Sequence, residues 1–149
     1  MKVLLINGSP HAHGCTYTAL SVVADELGKA DGLVIGSPVY YAGPNGTLVS
    51  FLDRLFFSTS FDKRFKVGAA VVSARRMGTT ATLDTLNKYF LHGEMPVASS
   101  RYWNDVHGNS PEEVMKDEEG LQTIPVPPLQ AAAESMQPSL AAATPFHPS

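Results

Sequence analysis

The sequence contains one cysteine, Cys15, and this scarcity excludes several classes of protein. A single thiol cannot form a disulfide within the chain, and an iron–sulfur cluster or a multi-cysteine metal site needs several thiolates. The sequence also lacks a run of about 20 apolar residues, the length that a membrane-spanning helix requires. The start, MKVLLINGSP, has an apolar run too short for the core of a signal peptide. We therefore expect a cytoplasmic protein.

An excess of charge of either sign is also missing, because the formal net charge is −3 at pH 7. Such a balance provides no electrostatic attraction to nucleic acid or to an anionic membrane, and we expect neither as a partner. Hydrophobic residues make up 44% of the 149 residues. That length and composition predict one globular domain with a substantial core.

Buried-strand and helical patterns alternate along the first two thirds of the chain. Short apolar runs predict strands at Val3–Ile6, Leu33–Ile35, Val67–Val72 and Pro96–Ser99. Apolar residues at helical spacing predict helices at Thr16–Leu27, Thr47–Phe57 and Thr80–Phe90, the second with an apolar face of Leu48, Phe51, Leu52, Leu55 and Phe56. This alternation predicts an α/β protein with a parallel sheet flanked by helices.

The pattern changes after Asn104. Ser110, Pro111 and Glu113 have the spacing of a helix start with a capping box, and the prolines from Pro125 onward end that helix by Thr123. The remaining residues are rich in proline and alanine and lack a core-forming period. We predict a domain over residues 1–123 and a disordered tail over residues 124–149.

Three loops follow predicted strands, at the edge where parallel sheets bind ligands. The first, NGSPHAHGCT, combines hydroxyl groups and glycines with a helix start, which suits a phosphate, although a plain turn has the same features. It lacks the lysine of a Walker loop and the spacing of a dinucleotide fingerprint. His11 and His13 have no carboxylate close in sequence, so we expect no metal there.

The second and third loops have features that suit a flat ring. In PVYYAGPNG, paired tyrosines stand among glycines and prolines, so ring faces and exposed backbone occur together. A tyrosine-capped turn explains this second loop equally well. The third loop, SARRMGTT, offers two arginines, which are either solvated or available to an anionic cofactor.

Together these loops resemble the NADPH-dependent FMN reductase family, through INGSPHAHGCT, GSPVYYAGPNG and VVSARRMGTTATLDTLNKYF. The resemblance covers most of residues 1–123. It implies a flavodoxin-like, three-layer fold, here shortened to about four parallel strands in the order 1-3-4-5 of the family's strand numbers. It also implies FMN as cofactor and NAD(P)H as co-substrate, with electrons passing to a quinone, flavin, azo compound or similar small molecule.

The resemblance also implies which residues bind the cofactor. Around the FMN phosphate it places Ser9, His11, Cys15 and Thr16. Around the isoalloxazine ring it places Pro38, Val39, Tyr40, Tyr41 and Gly43, bordered by Ala74, Arg75, Arg76, Gly78 and Thr79. No side chain is assigned as a catalytic acid or base, because the chemistry resides in the flavin.

The chain departs from the family by joining its first helix directly to the strand in ADGLVIGSP, without a second strand or a cysteine-bearing loop. Either the connection is right-handed and moves the first helix to the opposite face of the sheet, or the connection is left-handed. With the last helix shortened, both alternatives predict one poorly covered sheet face and a homo-oligomer that covers it. The leading hypothesis is an FMN-dependent NAD(P)H oxidoreductase. The alternatives are a flavodoxin-like electron carrier and a shortened relative without stable cofactor binding.

Overall fold

A computed structural model describes residues 3–8, 32–58, 63–64 and 66–124. Its strands are β1 (Val3–Asn7), β2 (Gly32–Pro38), β3 (Val67–Ala74) and β4 (Asp105–His107). Its helices are α1 (Gly46–Ser58), α2 (Thr79–His92), α3 (Pro111–Val114) and α4 (Glu118–Thr123). The first three predicted strands and the two long helices after β2 and β3 are confirmed, each one to three residues longer at its ends.

The four strands form one parallel sheet in the order β1-β2-β3-β4. The register places Ile6 beside Ile35, and Ile35 beside Ala70, so one row of side chains crosses the sheet. Parallel strands buried on both faces need apolar runs with little alternation, which the sequence of β3 supplies. The fold is therefore the predicted flavodoxin-like α/β sheet, with the predicted order of strands.

Helices α1 and α2 cover one face of this sheet. The core between them and the strands contains Ile35, Leu48, Leu52, Ala70, Val72, Leu83, Leu86, Phe90 and Met95. Of the apolar face predicted for α1, Leu48 and Leu52 are buried, Leu55 and Phe56 are partly buried, and Phe51 is 49% exposed. Leu48 and Leu52 point straight at the sheet, whereas Phe51 lies at the flank of the same stripe and remains half in solvent.

The opposite face of the sheet is also covered over β2 and β3. Val34, Ala69 and Val71 point to this face and are almost completely buried. Val106 of β4 lies beside Ser73 on the same face and is fully buried, and α3 and α4 contact β4. The expectation of a poorly covered face is therefore wrong for these strands, because burial of this face is completed within one chain. Self-association stays a prediction.

The fourth strand is not where the sequence predicted it. Within the predicted segment 96–99, only Val97 forms a bridge, beside Gly68, with hydrogen bonds from Gly68 N to Pro96 O and from Ala98 N to Gly68 O. The chain then leaves the sheet and returns as β4 beside the end of β3. Both segments therefore pair with the same edge of β3. The predicted segment 96–99 contributes one bridge, whereas β4 contributes three paired residues.

The helix predicted after Ser110 is divided in two. The Ser110 hydroxyl accepts a hydrogen bond from Glu113 N, as predicted, but the Glu113 carboxylate accepts from Asn109 N rather than from Ser110 N. A hydrogen bond with the Ser110 side chain lowers the pKa of the neighbouring Glu112 carboxyl. The first turn ends after Val114, and Asp117 begins α4 by capping Gly120 N.

Several predictions fall outside the described residues. They include the first helix, Thr16–Leu27, and the tail predicted over residues 124–149 apart from Ile124, so the face that this helix covers and the proposed domain boundary stay predictions. Across the described ranges, no helix combines the length and apolarity needed to cross a membrane.

Candidate functional site

The loops that follow β1, β2 and β3 start side by side at the carboxyl edge of the sheet. Gly8 N donates to Gly36 O at 2.8 Å, and Val39 N donates to Ser73 O at 2.9 Å, so the strand ladder continues into the loops. A Cβ atom at Gly8 would lie 2.5 Å from Leu48 Cδ2, so the first loop leaves the sheet in close contact with α1. This edge is the position where parallel α/β sheets bind ligands.

The loop after β2 contains a tight turn with an unfavourable backbone. Tyr40 and Gly43 exchange two hydrogen bonds, and the two residues between them, Tyr41 and Ala42, have φ values of 51° and 56°. Each left-handed residue other than glycine costs about 1–2 kcal/mol. The turn holds the Tyr41 side chain fully in solvent and leaves Tyr40 43% exposed. Such strain, held in place by surrounding structure, is typical of functional sites.

A buried serine and an asparagine close this loop against α1. The Ser37 hydroxyl is completely buried, accepts from Asn45 N at 2.9 Å and donates to Pro38 O at 2.9 Å. The Asn45 side chain then caps α1, because its Oδ1 accepts from Thr47 N and Leu48 N. Neither residue is among those predicted from the sequence, although an asparagine directly before a helix is a common capping signal.

The loop after β3 packs against the turn after β2. Gly78 has a φ of 99°, and a Cβ atom there would lie 3.0 Å from both Ala42 Cα and Val39 Cγ1. Only glycine combines this backbone with this close approach. The structure thus brings the predicted second and third loops together.

The predicted residues of the third loop divide by exposure. Arg75, Arg76 and the neighbouring Met77 are exposed at the edge of the sheet. Ala74 and Thr79 are 7% and 8% exposed, so their side chains belong to the protein interior rather than to an open surface.

The end of β4 reaches this loop from the other side. His107 Nε2 lies 2.9 Å from the Arg76 carbonyl oxygen, and Gly108 N donates to Ala74 O at 3.0 Å. His107 is not among the residues predicted from the sequence. A histidine at the end of a three-residue strand has no local signal, since only the pairing of β4 with β3 brings it near Arg76.

The prediction for the FMN phosphate falls outside the described residues, because it names Ser9, His11, Cys15 and Thr16. The described half consists of Pro38, Val39, Tyr40, Tyr41, Gly43 and the loop from Ala74 to Thr79, and its proximity to Gly8 places the start of the first loop at the same edge.

A strongly shifted pKa occurs away from this edge. Burial raises the pKa of Tyr89 to about 12, and the hydrogen bond from its hydroxyl to the Asp53 carboxylate contributes further. Tyr89 lines a cavity of about 600 Å³ between α1 and α2, with Phe56 packed against it at a ring distance of 5.4 Å. We interpret this pair as part of the packing between the two helices.

The comparisons with known proteins identify the family. The sequence model of the NADPH-dependent FMN reductase family matches residues 23–110. The chain belongs to this family. It is 30% identical over 109 residues to an iron–sulfur flavoprotein from Methanocaldococcus jannaschii, covering 68% of this chain and 56% of the relative. A second iron–sulfur flavoprotein, from Methanosarcina thermophila, is 28% identical over 107 residues, covering 68% of this chain and 54% of the relative.

This member of the FMN reductase family spans little more than half the length of those curated relatives. Its 149 residues contain only Cys15, so they cannot supply the several thiolates that an iron–sulfur cluster requires.

Solved structures confirm the fold. A flavodoxin described as WrbA-like, from Agrobacterium tumefaciens, has a TM-score of 0.67 at 17% identity, covering 91% of this chain and 97% of the other. The Trp repressor binding protein from Bacillus subtilis has a TM-score of 0.68 at 16% identity, covering 89% and 96%. An NADH:FMN oxidoreductase in its apo form has a TM-score of 0.61 at 18% identity, covering 89% and 88%.

Proposed function

We propose that this protein is an FMN-dependent NAD(P)H oxidoreductase that passes electrons to a small-molecule acceptor such as a quinone, a flavin or an azo compound. The observation that carries the proposal is the strained Tyr41–Ala42 turn, held against Gly78 at the carboxyl edge of the sheet. Left-handed residues other than glycine cluster at functional sites, so two in succession at this edge of the sheet support a role for the turn in ligand binding. Membership of the family supports the same reading.

The described residues fit a flat, polar-edged ring. The turn presents the exposed Tyr41 ring and the bare backbone of Gly43, and the adjoining loop adds the exposed Arg75 and Arg76. Aromatic faces suit a ring system, and cationic side chains suit the negative charge that a reduced flavin or a nucleotide phosphate carries. In this proposal Pro38, Val39, Tyr40, Tyr41, Gly43 and the Ala74–Thr79 loop border the isoalloxazine.

The remaining assignments follow from the family resemblance. Ser9, His11, Cys15 and Thr16 would hold the FMN phosphate at the loop that begins with Gly8. Bound FMN supplies acceptance of a hydride from NAD(P)H and delivery of electrons to the acceptor. The contribution of this chain is to bind and orient the ring.

A matched pair of variants tests whether the strained turn serves the cofactor. Both Tyr41→Gly and Ala42→Gly relieve one left-handed residue, so each should leave the stability unchanged or raise it by up to about 1 kcal/mol. Only Tyr41→Gly removes an exposed ring. We expect it to weaken FMN binding about two- to tenfold, the effect of losing one aromatic contact of about 0.5–1.5 kcal/mol, while Ala42→Gly retains the affinity.

Titration of FMN fluorescence with each protein measures this affinity, and urea unfolding measures the stability. Equal FMN affinities of the two variants would contradict the role of Tyr41. Failure of the unmodified chain to bind FMN would favour a shortened relative without stable cofactor binding.

The reductase and electron-carrier hypotheses differ in their response to NAD(P)H. In the proposed oxidoreductase, NAD(P)H should bleach the visible absorbance of the bound flavin without oxygen, and an added quinone should restore it. A holoprotein that chemical reductants bleach but NAD(P)H does not would favour the carrier.

A further inference from the structure

His107 connects the end of β4 to the backbone of the arginine-bearing loop. Its Nε2 lies 2.9 Å from the Arg76 carbonyl oxygen. A carbonyl oxygen can only accept a hydrogen bond, so the ring carries a proton on Nε2 and donates it. The side chain of a residue 31 positions along the chain thus holds one peptide group of the loop after β3.

Asp117 holds His107 in place. Its Oδ2 accepts a hydrogen bond from His107 N at 2.6 Å and lies 3.8 Å from His107 Nδ1, while its Oδ1 accepts from Gly120 N at 3.0 Å. A Cβ atom at Gly120 would lie 2.4 Å from Asp117 Oδ2, so glycine is needed for this close approach. The carboxylate is therefore bound on both oxygens, and the backbone of His107 is fixed by the start of α4.

The bond to Arg76 determines the direction of the next amide. The carbonyl and the following N–H of a trans peptide point in opposite directions, so the N–H of Met77 points away from His107. His107 approaches from the β4 side of β3, and the turn after β2 lies on the other side, where Gly78 contacts Ala42. The Met77 N–H is thus directed toward the side of the loop that faces the Tyr41 turn.

We infer that His107 is a positioning residue that holds the Arg76–Met77 peptide so that the Met77 N–H serves as a hydrogen-bond donor to the polar edge of the bound cofactor ring. This inference rests on the proposed function for the identity of the ring. The anchoring of the loop by His107 is independent of that function. Fixing a donor before the ligand arrives lowers the ordering cost of binding.

Three substitutions at one position separate the ring's hydrogen bond from its bulk. The side-chain amide of His107→Gln can place a donor close to the position of Nε2, whereas the shorter amide of His107→Asn corresponds to Nδ1 and falls short of Arg76. His107→Ala removes the donor at either position. We expect the glutamine variant to behave like the unmodified protein and the other two to release the loop.

Limited trypsin digestion measures the anchoring without any cofactor. Cleavage after Arg76 breaks the peptide that His107 holds, and cleavage after the exposed Arg101 serves as an internal control for overall unfolding. The ratio of the two initial rates, followed by mass spectrometry, should rise about two- to tenfold in His107→Ala and His107→Asn, the range for one neutral hydrogen bond. It should stay within about twofold in His107→Gln. An unchanged ratio in His107→Asn would overturn the anchoring.

FMN titration of the same variants measures the link to the cofactor. The dissociation constant should rise about two- to tenfold in His107→Asn and be restored in His107→Gln. A released loop with unchanged FMN affinity would overturn the role of the Met77 donor. If the unmodified chain binds no FMN, the proposed function and the cofactor part of this inference both fail, while the trypsin ratio still decides whether His107 holds the loop.

Discussion

Replacing Gly78 by alanine should destabilise the folded chain by about 2–4 kcal/mol, because two costs combine at this position. The first is conformational: a φ of 99° lies about 30° beyond the left-handed region, which ends near 70° for residues with a Cβ. The second is steric, since the added Cβ would lie 3.0 Å from Ala42 Cα and from Val39 Cγ1. Ala42 Cα is backbone of the strained turn and cannot rotate away as a flexible side chain could.

Urea unfolding, followed by far-ultraviolet circular dichroism, measures this loss. With a slope of about 1.5 kcal/mol/M, the midpoint should fall by about 1.3–2.7 M while the slope itself stays constant. Gly46→Ala is the matched control, because Gly46 begins α1 and a Cβ atom there meets nothing within 4 Å. Alanine is a better helix former than glycine, so this control should be unchanged or up to about 1 kcal/mol more stable.

In Gly78→Ala the loops after β2 and β3 should also move apart, because the added Cβ atom would clash with Ala42 and Val39. If the midpoint of Gly78→Ala remained within about 0.3 M of the unmodified protein, the close packing of the second and third loops would be refuted. Equal urea midpoints for Gly78→Ala and Gly46→Ala would show that the backbone conformation and close packing at Gly78 do not affect the stability.

Two further predictions concern the cap of α1 and the hydrogen bond between Tyr89 of α2 and Asp53 of α1. Asn45→Ala should lower the stability by about 1 kcal/mol through loss of the cap on Thr47 N and Leu48 N, whereas Asn45→Asp should retain most of it. Thermal unfolding measures both, and equal losses would contradict the capping role. Tyr89 should ionise near pH 12, seen as phenolate absorbance that is missing in Tyr89→Phe. Because its folded pKa is raised from 10, its stabilising contribution is complete below pH 10 and is lost as the pH rises through 12. Asp53→Asn should lower this pKa, and an unchanged titration would exclude the carboxylate as a cause.

Local signals in the sequence were sufficient for most of the sheet and its long helices. The run Val67–Val72 is apolar throughout, as a strand buried on both faces must be, and it lies within β3. Leu48 and Leu52 are one helical turn apart and both face the sheet. The sequence of such elements determined their type because burial imposes a period on neighbouring residues.

The position of the fourth strand could not be derived in the same way. Pro96–Ser99 has the more apolar local sequence, yet Val97 makes only one bridge and Asp105–His107 forms the strand. The choice depends on which backbone groups at the edge of β3 find partners, and these partners come from distant parts of the chain. Periodicity within four residues contains no information about that choice.

The same distinction between local patterns and long-range contacts applies to the candidate site. The sequence pattern is sufficient to place Tyr41 and Gly78 in loops at the carboxyl edge of a parallel sheet, because each follows a buried strand. The left-handed backbone of Tyr41, the packing of Gly78 on its turn and the hydrogen bond between His107 and Arg76 become evident only in the folded chain. The type of each element and the position of the loop after it follow from interactions between sequence neighbours, whereas backbone strain and contacts between loops are set by groups that meet only after the sheet has formed.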